Sequence, residues 1–244
     1  MTIHSNNEIK ISDGTFEISS LDDVIHVDNN LTIDGGNINI KRSYEGLEAK
    51  DIIINDGSIL ITASDDGINV VNTINDTATL SIYEGTIKVN ANGDGIDANG
   101  SVYVYGGKIC VDGPTSDGDG ALDYDKEFVI FGGTLVVLGS SGMAMGISNN
   151  STQCGILVNL SKKYPVGDVI TIINSKNEEI LSYTANKSYS SICYSSNLLE
   201  KGKTYTLKIN DEDIQDLTIN SILTTSKTTN QGSLNNHNQR GSRR

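Results

Sequence analysis

No stretch of this chain opens with positive charge and runs on into apolar residues, so the sequence shows neither a signal peptide nor a membrane-spanning segment. Cysteine is scarce. Cys110, Cys154 and Cys193 are an odd number without metal-ligand spacing, which leaves them as packing residues, and no His or Cys cluster offers the softer donors that zinc prefers. Basic charge is scarce as well, at 18 Lys and Arg against 31 Asp and Glu. The imbalance is local: residues 1–150 hold 7 bases and 23 acids, a net −16, while residues 151–244 are at +3. An acidic front half argues against a polyanion partner such as nucleic acid unless cations intervene. Tryptophan is absent and proline occurs twice, whereas 25 glycines accompany abundant Ile, Val, Thr and Asn. That is the composition of short strands joined by tight turns, so the chain is expected to be all-β.

The glycines carry a repeat. Gly14, Gly36, Gly57, Gly85, Gly107 and Gly133 follow one another at 22, 21, 28, 22 and 26 residues, a solenoid period. The second and fourth residues after each are apolar, as in Ile38 and Ile40 or Ile87 and Val89. The fifth and third residues before each are apolar too, as in Leu31 and Ile33 or Val102 and Val104. Each unit therefore holds two period-2 strands around a corner and nothing periodic enough for a helix. The spaced leucines and asparagine of a leucine-rich repeat are missing. A parallel β-helix fits, with coils stacked about 4.8 Å apart and glycine where the chain turns sharply.

The segments YEGLE (44–48), DDGIN (65–69) and GDGIDANG (93–100) do not complete an EF-hand, which needs a glutamate at its twelfth position. They fit instead as the third side of each coil. An inward ladder runs Ile25, Leu47, Ile68 and Ile96 and ends at Leu122 or its neighbour. Two outward columns flank it: Asp23, Glu45, Asp66 and Asp94 on one side, and His26, Glu48, Asn69, Asp97 and Asp123 on the other. Like charges about 5 Å apart repel by roughly 3 kcal/mol at an effective dielectric near 20. Raised pKa values or a cation must relieve that repulsion, and carboxylates with an Asn amide are the oxygen donors that calcium prefers.

The stretches SYEGLEAKDIIINDGSILITASDDGIN, GDGIDANGSVYVYGG and DGPTSDGDGALDYD followed by SSGMAMG resemble the clostridial cellulose- and pectin-binding β-helix family of carbohydrate-binding domain-containing proteins. That family is similar in turn to family 9 pectate lyases. The resemblance covers about residues 9–225. It implies a right-handed parallel β-helix, more than one bound Ca2+, secretion to the cell surface or beyond, and affinity for plant cell-wall polysaccharide, cellulose or polygalacturonate. By position it carries metal-ligand roles onto Glu45, Glu48, Asp65, Asp66, Asn69, Asp94, Asp97 and Asp123. Unlike the family pattern, the chain shows no secretion signal and has eight residues before its first ladder strand, so an N-terminal cap is expected to be missing.

From about residue 151 the glycine register stops, and alternating segments such as VITIINS and TYTLKIN predict an antiparallel β cap or small sandwich to residue 225, expected to protect the last coil's open edge. Residues 226–244 are polar and are expected to form a disordered tail. A lyase would need a base beside the calcium, for which Lys50 is the weak candidate, yet acidic neighbours would hold that lysine protonated. A binder needs only calcium and a platform. Tyr83, Tyr105 and Phe131 fall in one outward column on three successive coils, with Tyr103 in the next column, although the C-terminal domain covering these rings is an equal expectation. The sequence therefore favours a calcium-dependent polysaccharide binder that does not cleave its ligand, with a pectate lyase second and a structural surface or adhesin module third.

Overall fold

The computed structural model describes residues 3–71 and 77–228, so the insertion at 72–76 and the segment 229–244 lie outside the described residues. The described chain is all-β. A parallel solenoid of about six turns leads into antiparallel strands.

One face of the solenoid is a nine-stranded sheet. Its parallel part runs Thr15–Ser19, Asn37–Ser43, Ser58–Ala63, Thr86–Ala91, Lys108–Asp112 and Thr134–Gly139. The inward ladder stays in register across coils, with Ile38 on Ile59, Ile59 on Ile87, and Ile87 on Ile109, while irregularities shift the register after Ile18 and Ile40 in the first coils. The other two sides form a ten-stranded sheet, in which Leu31 pairs with Ile52, Ile52 with Leu80 and Leu80 with Val102. Alternation turns every second side chain inward, and the resulting Ile, Val and Leu ladders are buried.

All six corner glycines adopt positive φ, between 82° and 124°. Space excludes a side chain there as well, because a Cβ at Gly36 would lie 2.8 Å from the carbonyl oxygen of Gly14 one rung below.

The end of the solenoid is closed by pairing. Strand Tyr189–Ser196 runs antiparallel to Thr134–Gly139, the last coil's strand, and is followed in the sheet by Gly155–Tyr164 and Leu223–Lys227. The open edge thereby receives its hydrogen-bond partners. A separate four-stranded antiparallel sheet packs Ile170, Ile172 and Leu207 against Cys110, Val136 and Leu138 on the outside of the last coils. Across this junction the buried Asp112 accepts hydrogen bonds from Tyr183 Oη at 2.6 Å and Asn186 Nδ2 at 2.8 Å. The two regions read from the sequence as domains thus share one sheet and one packed interface. All three cysteines are free, Cys110 and Cys193 buried within the two cores.

Two boundaries move. Strand Leu223–Lys227 extends two residues into the segment expected to be a disordered tail, because main-chain pairing with Gly155–Asn159 does not depend on apolar side chains. At the other end Ile3–Ser5 pairs with Ile25–Val27, a third-side strand ahead of the first glycine corner.

Candidate functional site

The third side of each coil is short, three residues in Ile68–Val70, Ile96–Ala98 and Leu122–Tyr124. Its register gives the inward ladder Ile25, Leu47, Ile68, Ile96 and Leu122, each at most 1% exposed. The residue before each ladder member is glycine in three successive rungs, for a steric reason. A Cβ at Gly67 would stand 2.2 Å from a Val89 methyl and 2.6 Å from the Gly95 carbonyl oxygen, and one at Gly95 would stand 2.2 Å from a Val111 methyl. The acid–Gly–aliphatic motif is therefore a packing requirement with an acid placed at its rim. Gly67→Ala is expected to cost about 2–3 kcal/mol, lowering the melting temperature by roughly 4–12 °C, with no change of fold by circular dichroism. A variant that melts like the parent would contradict this close packing.

The acids of the first column are stitched to the next rung. Asp23 Oδ1 accepts the Glu45 amide at 3.1 Å, Asp66 Oδ1 the Asp94 amide at 2.7 Å, and Asp94 Oδ1 the Gly120 amide at 2.5 Å. One oxygen of each carboxylate is thus structural, a role that sequence reasoning missed. Asp66, Asp94 and Asp97 nevertheless converge, one carboxylate oxygen from each lying within 4.8 Å of the others. Asp65 stands beside Asp66, outside that group: its Oδ1 and that of Asp66 lie 2.6 and 2.5 Å from where a Cβ on Gly93 would be. In the second column Asp97 pairs with Asn69 below and Asp123 above. Asp119, which no motif singled out, contributes charge to both Asp66 and Asp94. It stands three residues before Leu122 as Asp65 stands before Ile68, so the repeat register contained the signal.

The electrostatics are those of crowded, half-buried acids. Burial, together with Asp65, Asp97 and Asp119, pushes the Asp66 carboxyl up to about 6. Asp94 and Asp97 rise to about 6 for the same two reasons, burial first and neighbouring carboxylates second. Burial lifts Glu45 to about 7 against an opposing hydrogen bond from Asn69 Nδ2 at 3.1 Å. Among the described residues Asn69 Oδ1 is buried with no hydrogen-bond partner, an orphaned oxygen on the side chain that donates to Glu45. Glu48 differs from its neighbours because its Oε2 is bound to His26 Nδ1. Burial disfavours the imidazolium, but the Glu48 contact and Asp28 outweigh it and raise the His26 pKa.

The aromatic column forms as a stack. Tyr83 and Tyr105 have centroids 4.7 Å apart at 7°, and Tyr105 and Phe131 have centroids 5.0 Å apart at 13°. The rings are 43–44% exposed, so among the described residues the C-terminal strands do not cover them. Their faces meet one another, which leaves ring edges and the two terminal faces toward solvent. Tyr103 stays outside the stack, its hydroxyl donating to Glu127 Oε1 at 3.1 Å. Lys50 is half-buried with its ammonium 3.9 Å from Asp51 Oδ2, a neighbour that favours the charged form.

A family model described as "Carbohydrate-binding domain-containing protein" matches residues 1–46 and 25–232. No curated protein and no solved structure matches the chain.

Proposed function

We propose, from the premise that the chain belongs to the carbohydrate-binding domain-containing family, that it is a calcium-dependent binder of plant cell-wall polysaccharide, cellulose or polygalacturonate, and that it acts outside the cell without cleaving its ligand. The observation that carries this reading is the pairing of two outward features on one solenoid, a convergent acid cluster and an exposed aromatic stack. The acids fit Ca2+. Asp66, Asp94 and Asp97 each offer a carboxylate oxygen, Asp65 and Asp123 flank them, and the orphaned Asn69 Oδ1 on the rung of Asp66, with Glu45 on the rung below, offers further hard donors. When bound, the ion neutralises the cluster and presents positive charge to an acidic sugar. Glu48 stands apart from this donor set because His26 engages it.

A glycan running up the solenoid meets the ring edges of Tyr83, Tyr105 and Phe131 rung by rung, at a spacing close to that of successive sugars. A lyase reading would need a base with a depressed pKa, and the Lys50–Asp51 contact works in the opposite sense.

Retention on insoluble cellulose tests the platform. Tyr105→Ala removes two stacked contacts, each worth about 0.5–1.5 kcal/mol, so melting is expected to fall by roughly 2–12 °C while affinity for cellulose falls about tenfold. Undiminished retention, measured well below the melting temperature of the variant, would remove the stack from the binding site.

A further inference from the structure

The low-numbered end of the columns differs in chemistry from the rest, because histidine replaces carboxylate there. Strand Ile3–Ser5 pairs in parallel with Ile25–Val27 and sets His4 directly beneath His26. The imidazole centroids are 5.2 Å apart and the rings are inclined by 38°. One ring nitrogen from each histidine and a carboxylate oxygen of Asp28 all lie within 4.8 Å of one another. His26 is also oriented. Its Nδ1 meets Glu48 Oε2, and its Nε2 lies 3.4 Å from Asp28 Oδ1.

A carboxylate that holds one imidazole nitrogen while the other faces further donors is the arrangement that fixes the tautomer of a metal-ligating histidine. The 3.4 Å between Nε2 and Oδ1 is also close to the edge of a tetrahedron of donors about 2.0–2.1 Å from Zn2+. Asp23 also comes within 4.8 Å of His26 and Glu48, but its Oδ1 already accepts the Glu45 amide and the Glu48 contact occupies the nitrogen on that side.

We propose that His4, His26 and Asp28 form a Zn2+ site, with Glu48 as the outer carboxylate that orients His26. Two nitrogens and one oxygen suit zinc, whereas the all-oxygen Asp cluster suits calcium, so the two sites select different ions. Three protein donors leave one position for water or an added ligand. The ion ties a three-residue strand to the coil above it. No local motif announces the site, because 22 residues separate the histidines and only coil stacking brings them together.

The test is competition of the full chain against a chromophoric chelator for Zn2+ alone, supported by the visible absorption of a Co2+ substitute, whose intensity reports tetrahedral coordination. One equivalent is expected to bind. Loss of the ligand in His4→Ala or His26→Ala should weaken binding by about 100-fold, and loss of the outer carboxylate in Glu48→Gln by about tenfold. His237→Ala, which removes the remaining histidine of the chain, should change nothing. The exposed His4 can be replaced without disturbing the core, so that variant decides the matter even if His26→Ala folds poorly. Zinc affinity that is unchanged in His4→Ala, absent in the parent, or abolished by a modest excess of Ca2+ would overturn the proposal. None of these results bears on calcium at Asp66, Asp94 and Asp97, which is read separately by calcium titration of Asp97→Asn.

Discussion

At pH 8 the protein is expected to melt about 10 °C lower in excess chelator than in millimolar Ca2+, and at pH 5 the two curves are expected to draw together. The size follows from mass action: a ligand that binds only the native state at about 1,000 times its Kd adds about 4 kcal/mol, and each kcal/mol moves a chain of this size by about 2–4 °C. The pH dependence follows from the acids themselves. Asp66, Asp94 and Asp97 sit near 6 and Glu45 near 7, all above their ordinary values, chiefly through burial. A carboxyl whose pKa rises on folding holds its proton more tightly in the native state. Its stabilising contribution is complete below the ordinary carboxylate range and is lost as pH climbs through 6 to 7. His26, also raised, acts in the same direction. The calcium-free protein should therefore be more stable at pH 5 than at pH 8, by about 5 °C once solvent screening of these half-exposed groups is allowed for.

Bound calcium is expected to reverse that order by taking the place of protons. Asp97→Asn should raise the pH 8 melting temperature in chelator and shrink the calcium increment. Asp66→Asn should do the same, and it keeps an oxygen to accept the Asp94 amide, which Asp66→Ala would not. Asp56→Asn, at an exposed corner, serves as the control. A calcium-free protein that gains stability between pH 5 and pH 8 would refute the electrostatic account. Melting curves that ignore chelator at both pH values would refute the metal.

The strand ladders were legible in the sequence because a solenoid repeats one local problem. Inward alternation and a positive-φ corner recur in every coil, so the glycine spacing predicts which Ile pairs with which, and Ile68 does pair with Ile96 and Ile96 with Leu122. The same spacing predicts the two outward columns and the Tyr83, Tyr105 and Phe131 stack. What it hides depends on where each side chain spends its hydrogen bonds. Asp66 and Asp94 read as free ligands, yet each gives one oxygen to an amide in the next rung, and Glu48 gives one to His26. Gly67 and Gly95 stood in the acid–Gly–aliphatic segments with no role of their own, and clash with Val89 and Val111 of the neighbouring side is what excludes a Cβ there. The closing strand Tyr189–Ser196 was beyond reach for another reason: antiparallel addition to a solenoid edge follows no period, so its alternation names a strand without naming its partner.

Binding to polygalacturonate is expected to fall by at least about 100-fold on chelation, about 2.7 kcal/mol, and to return when Ca2+ is restored. Residues 1–150 carry a net −16, and the Asp66, Asp94 and Asp97 group meets an approaching uronate with like charge. Attraction therefore requires an ion that the protein carboxylates do not saturate, and Ca2+ takes six to eight oxygens while Asp66 and Asp94 each commit one of their own to the backbone. On the calcium reading, coordination positions would then remain for a sugar carboxylate. Neutral cellulose needs no such bridge, so its binding should depend on calcium only as far as the fold does, and at a temperature where the chelated protein stays folded it should persist. The two polymers, each measured with and without chelator, separate this account from binding through protein cations. If Lys50 met the uronate, chelation would leave polygalacturonate binding intact and Lys50→Ala would abolish it. Retention of polygalacturonate in excess chelator would place the acidic columns outside the recognition site and leave the aromatic stack as the remaining platform.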